Sequence, residues 1–137
     1  LLAQAAMSIG AVKAVEIGDG TAVAVRQGSQ NNDPFHMEAG QVVKTSNHAG
    51  GILGGISDAS PIVLRAYVKP TPSIFSPQRT VNRQGEDIEL SIKGRHDPVI
   101  VPRAVVVVET MAALTIADAL LLNASARLDN LQKIYGR

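Results

Sequence analysis

The chain has 137 residues and a mass of 14.4 kDa, the size of about one domain at ~150 residues per domain. It contains no cysteine, which excludes a disulfide scaffold, a Cys-ligated zinc or iron–sulfur site and a cysteine nucleophile. Its 13 basic and 12 acidic residues leave a net charge of +1, and its aromatics are two Phe and two Tyr, so it has neither the charge footprint nor the stacking platforms of a nucleic-acid binder.

The first residues, LLAQAAMS, lack an initiator Met and the basic start of a signal peptide. They read as the end of a helix whose start is missing, or as a trimmed terminus on a complete small domain. Residues 11–17 (AVKAVEI) predict a strand, stopped by Gly18-Asp19-Gly20. Residues 21–26 (TAVAVR) predict a second strand in hairpin with it. Residues 28–40 lose all periodicity and predict a loop, and 41–45 a short strand. Residues 61–68 (PIVLRAYV) predict a strand. Residues 69–77 carry three prolines and cannot be helical. Residues 79–83 and 87–92 predict two further strands flanking Gln84-Gly85.

The segment from Ala104 to Leu122 is almost continuously apolar and approaches the ~20 residues of a membrane span. Glu109 and Asp118 lie inside it, and each acid near a bilayer centre costs about 2.5–3.5 kcal/mol. Nine residues apart, they point to opposite helix faces and leave no polar stripe. A buried helix over about 102–127 is expected, with Pro102 in its first turn. The predicted class is α+β, with antiparallel β-hairpins packed on a long buried helix. One small sheet cannot cover such a helix, so a further layer, absent here or supplied by a partner, is implied.

Three constellations could carry chemistry. Residues 47–56 (NHAGGILGGI) hold four glycines in ten residues, suited to close approach of a ligand or to tight backbone packing. Neither a P-loop nor a dinucleotide fingerprint is present. Lys69-Pro70-Thr71-Pro72-Ser73 joins two prolines to donors suited to a phosphate or a ring carbonyl; it also suits a stiffened surface loop. Gly94-Arg95-His96-Asp97-Pro98 sets guanidinium, imidazole and carboxylate side by side: Arg can hold an oxyanion, Asp or His can move a proton, and a solvated loop with a local ion pair is the plain alternative. His36 stands apart, and no histidine spacing suggests a metal site.

In this order, SIGAVKAVEIGDG (8–20), GSQNND (28–33), SNHAGGILGGIS (46–57), KPTPSI (69–74) and GRHDPVIVPRAVVVVETMAA (94–113) resemble the C-terminal half of the chorismate synthase family. The resemblance implies a β-α-β sandwich with helices inside and antiparallel sheets outside, and residues 1–137 as a single C-terminal segment of it. It implies a cytoplasmic homotetrameric lyase of aromatic amino-acid biosynthesis. That lyase takes 5-enolpyruvylshikimate-3-phosphate to chorismate and phosphate by anti-1,4 elimination with reduced FMN, with NADP as an associated nucleotide and no nucleic-acid, membrane or metal partner. It places flavin contacts on Gly10, Ala11, Gly54, Lys69, Pro70, Thr71, Pro72, Ser73 and Arg95, and proton movement on Asp97; Arg95 also faces the substrate. Gly10 stands where the family commonly has Asn, Val99 where Cys is frequent and Val106 where Pro is frequent. The family's catalytic histidines and substrate-phosphate arginines lie in the half not found here. The expectation is therefore an inactive C-terminal fragment of an enzyme, the other reading being a non-catalytic binding or assembly module on the same scaffold.

Overall fold

The computed structural model describes residues 1–136. It is a mixed helix and strand chain with small antiparallel sheets. Helix α1 (Leu2–Met7) leads into β1 (Val12–Ile17), and a 3₁₀ segment (Gly20–Val25) and the one-turn helix α2 (Gly28–Asn31) follow. Next come β2 (Phe35–Glu38), β3 (Gln41–Lys44), β4 (Ile52–Leu53), β5 (Ile56–Ser57), β6 (Leu64–Val68), β7 (Gln78–Val81) and β8 (Asp87–Leu90). The chain ends in α3 (Val101–Ala124) and α4 (Leu128–Tyr135). The strands form four separate antiparallel pairs: β1 with β6, β2 with β3, β4 with β5, and β7 with β8.

The expected hairpin between residues 11–17 and 21–26 does not form. β1 pairs with β6, Val12 opposite Val68 and Ile17 opposite Leu64. Glu16 diverts the chain, because its carboxylate accepts the Thr21 amide at 3.1 Å and the Thr21 hydroxyl at 2.7 Å. Those bonds close a tight turn through Gly18 and Gly20, both with positive φ, and the chain continues as 3₁₀. From the opposite strand the Tyr67 hydroxyl donates to Glu16 at 2.6 Å. This bond first, then those from Thr21 and the charge of Arg65, hold the Glu16 carboxyl at about 2.

The loop expected over 28–40 contains α2 and β2 instead. The Gln27 amide donates to Gln30 Oε1 at 2.9 Å, which stabilises one helical turn without apolar periodicity. β2 is exposed throughout and so carries no core-facing pattern to detect. The strand at 41–45 and the hairpin joining β7 to β8 fall where the sequence puts them.

α3 runs close to its predicted span, with Pro102 in the first turn. It stops at Ala124, where Ser125 bonds back to the Leu122 carbonyl at 3.1 Å and Arg127 turns extended, and α4 begins beyond. By length and composition α3 is long and apolar enough to cross a membrane. The expectation of a buried helix needs correction: none of its residues is buried within the chain. The cover available is α1, which packs on it, and β6, whose Ala66 and Val68 share a groove with Val101, Val105 and Val108. Among the described residues only Ala6 and Val12 qualify as buried apolar side chains, 3% and 5% exposed.

Candidate functional site

The pairing of β1 with β6 carries the two ends of the candidate site to one place. Lys69 continues β6, and its amide donates to the Ala11 carbonyl at 2.8 Å. Gly10 and Ala11 therefore lie beside the start of the Lys69–Ser73 run. Ala11 holds φ at +72°, a left-handed conformation uncommon outside glycine. Within the run, the Pro72 carbonyl accepts from Gln78 Nε2 at 3.3 Å. Among the described residues Thr71 Oγ1 is buried without a hydrogen-bond partner. A hydroxyl in that position is costly unless a further group meets it.

The proline-rich run also leads to the loop at 94–98. The Ser91 hydroxyl donates to the Phe75 carbonyl at 2.8 Å. The Phe75 and His96 rings meet edge to face, 4.7 Å between centroids, and His96 Nε2 lies 3.1 Å from the Ile92 carbonyl. His96 thus fastens the loop, leaving Arg95 and Asp97 on either side of it. Arg95 is exposed and has no hydrogen-bond or ion-pair partner among the described residues. Asp97 accepts from Arg103 in the first turn of α3 at 2.8 Å, on the surface. Nothing in the sequence spacing marks Arg103 as the partner of Asp97.

The glycines of this segment sit in two different settings. Gly18 and Gly50 pack backbone to backbone: a Cβ on Gly18 would stand 2.1 Å from the His48 carbonyl oxygen. Here the glycines serve packing. Gly54 and Gly55, with φ of +56° and +83°, form the open two-residue turn between β4 and β5, where backbone is free to approach a ligand. No hydrogen bond joins this turn to Lys69–Ser73 or to Arg95 among the described residues, so Gly54 stands apart from the rest of the candidate set.

Two charge clusters fasten the segment before that turn. Asp19 meets His48 Nδ1 at 2.6 Å and pairs with Arg26, and these two bonds, in that order, lower the Asp19 pKa. Asp33 accepts the Ser46 hydroxyl at 2.7 Å, the His48 amide at 2.7 Å and the Ala49 amide at 3.0 Å. Burial alone would raise the Asp33 pKa, but the Ala49 amide, the Ser46 hydroxyl, the His48 amide and the Lys44 charge outweigh it and hold it well below the usual carboxylate range. The partners lie 7 to 29 positions apart, at no helical or strand spacing, so neither cluster shows as a local pattern.

A family model described as chorismate synthase matches residues 1–121. The chain is 63% identical over 134 residues to the chorismate synthase of Agathobacter rectalis, covering 98% of this chain and 36% of that one. It is 57% identical over 122 residues to the chorismate synthase of Archaeoglobus fulgidus, covering 88% of this chain and 34% of the other. A crystal structure of chorismate synthase superimposes with a TM-score of 0.69 at 36% identity, over 96% of this chain and 33% of that one. The chain therefore spans a little over a third of the length of the curated relatives it matches.

Proposed function

The chain belongs to the chorismate synthase family, and from that membership we propose that it is the C-terminal part of a longer, cytoplasmic, homotetrameric chorismate synthase. In this reading residues 1–137 form one segment of a β-α-β sandwich, with α1 and β6 against α3. The longer protein is a lyase converting 5-enolpyruvylshikimate-3-phosphate to chorismate and phosphate in the shikimate pathway. The observation that carries a flavin-holding role is the buried Thr71 hydroxyl, without a partner among the described residues, in a run whose first amide is tied to Ala11.

The residues present suit reduced FMN. Pro70 and Pro72 fix the backbone of the run, so the main chain that carries Lys69, Thr71 and Ser73 loses little freedom on binding. Gly10 and Ala11 flank them, and the Gly54 turn offers open backbone. Arg95 brings an exposed guanidinium, unpaired among the described residues and able to grip an oxyanion with two parallel N–H donors. Asp97 holds or moves a proton, its side chain oriented by Arg103. What bound reduced FMN supplies in this family is transient electron density as the allylic phosphate leaves.

The test is an FMN titration of the longer protein. Arg95→Ala should weaken FMN or substrate binding about tenfold to a hundredfold, the loss of one charge-assisted hydrogen bond at about 1.5–3 kcal/mol. Arg127→Ala should leave it unchanged. Arg127 removes the same charge but only pairs on the surface with Asp129, at 3.0 and 3.1 Å, just before α4. Equal losses in both variants would remove Arg95 from the site.

The β1–β6 pair gives a pH prediction in the same protein. The Tyr67 and Thr21 bonds hold the Glu16 carboxyl at about 2 in the folded chain, below its ordinary value of 4.5. A depressed carboxyl contributes stability above its unfolded pKa and loses it as pH falls through the folded one. The Tm gap between wild type and Glu16→Gln should stay constant above about pH 4.5 and close towards pH 2. A gap independent of pH over that range would contradict the Tyr67–Glu16–Thr21 bonding.

A further inference from the structure

The hairpin that carries Gly54 has little holding it from its own strands, since β4 and β5 are two residues each. Its two legs are instead fixed at the base. The first leg starts after Gly51, whose amide donates to Asn47 Oδ1 at 2.7 Å, while Asn47 Nδ2 donates to the Pro61 carbonyl at 2.8 Å. The second leg ends at Asp58, whose amide donates to the Gly51 carbonyl at 3.1 Å and whose Oδ1 accepts the Ser60 amide at 3.0 Å. Both bases converge on one ammonium. Lys44 Nζ lies 2.7 Å from Asp58 Oδ2, 3.4 Å from Asn47 Oδ1 and 3.5 Å from Asp33 Oδ2.

A lysine ammonium has three donors and no acceptor, so three oxygens from three segments saturate it. Only 5% of the Lys44 side chain is exposed, although the residue lies along an open groove of about 420 Å³ with Phe35 and Val42. Its charge is committed inward and is not available to a ligand in that groove. The bond from Asp58 first, with the charges of Asp58 and Asp33, raises the Lys44 pKa against the effect of burial, so the ammonium persists at neutral pH.

We propose that Lys44, held between Asp33, Asn47 and Asp58, is a positioning residue that sets the Gly54–Gly55 turn for flavin binding. The proposal rests on the functional reading above, in which that turn meets FMN. Lys44 acts through the hairpin base and touches neither cofactor nor substrate. Removing its charge frees both legs to move and lets the turn sample positions that do not match the ligand.

FMN titration of the longer protein, followed by flavin fluorescence, separates the outcomes. Lys44→Met and Asp58→Asn should each weaken FMN binding at least tenfold, with kcat at saturating reduced FMN within about twofold of wild type. Lys44→Arg, which keeps the charge and several donors, should recover most of the affinity. Asp58→Asn decides the matter if Lys44→Met does not fold. Unchanged FMN affinity in a folded Lys44→Met or Asp58→Asn protein overturns the proposal, as does an equal loss in Lys44→Arg, or a loss in kcat without one in affinity. Wild-type protein that does not bind FMN overturns the functional reading, and this proposal with it.

Discussion

Expressed alone, residues 1–137 should bind a hydrophobic dye strongly, self-associate and show no cooperative unfolding transition. A folded monomer of 14.4 kDa exposes about 6,800 Å² by the usual scaling of surface with mass. This chain exposes 10615 Å². If half of the difference is apolar, the burial left unmade is on the order of 50 kcal/mol at ~25 cal/mol per Å². A whole domain keeps a net stability of only roughly 5–15 kcal/mol. The exposed apolar side chains include Leu120, Leu121 and Leu122 on α3, at 64%, 74% and 62%. Such a chain has secondary structure without a packed interior, the condition in which dyes bind and side-chain signals average. It should also form no chorismate with reduced FMN and 5-enolpyruvylshikimate-3-phosphate. Sedimentation, dye binding and a thermal scan check the first part. A dye-silent monomer with a sharp transition would mean that the chain buries a core by itself.

In the longer protein, Asp97→Asn should lower kcat by about 10²- to 10⁴-fold, the span associated with a positioned acid or base. FMN affinity should change by less than about threefold. The amide keeps the shape of the carboxylate and still offers an oxygen to Arg103, which is 2.8 Å from Asp97 Oδ2. What it loses is the capacity to exchange a proton. Asp129→Asn is the control, because that carboxylate also pairs with an arginine on the surface, far along the chain from the candidate loop. Unchanged turnover, or a loss confined to flavin affinity, would withdraw the role given to Asp97.

Local signals were legible where one segment decides its own conformation. β1, β3, β6, β7, β8 and α3 show period or propensity, and the prolines of 69–77 exclude a helix. Pairing was not legible, because it depends on residues far apart. The 21–26 run looks like a strand, yet Glu16 binds Thr21 and turns the chain aside, leaving β1 for β6. The burial of α3 was overestimated within this chain because apolar composition records what a helix requires, not whether cover is present. The candidate residues were found through motif order, whereas their supports were not. Arg103 meets Asp97 from six positions away, across the start of α3, and Lys44 gathers oxygens from Asp33, Asn47 and Asp58; neither arrangement follows a periodic pattern.

The measurement closest to the proposed function is chorismate formation by the longer protein that carries residues 1–137, assayed anaerobically with 5-enolpyruvylshikimate-3-phosphate, with and without reduced FMN. Chorismate and phosphate should appear in equal amounts, and only when reduced FMN is present. Failure to form either product, or an equal rate without flavin, would contradict the assignment of this chain to a flavin-dependent chorismate synthase.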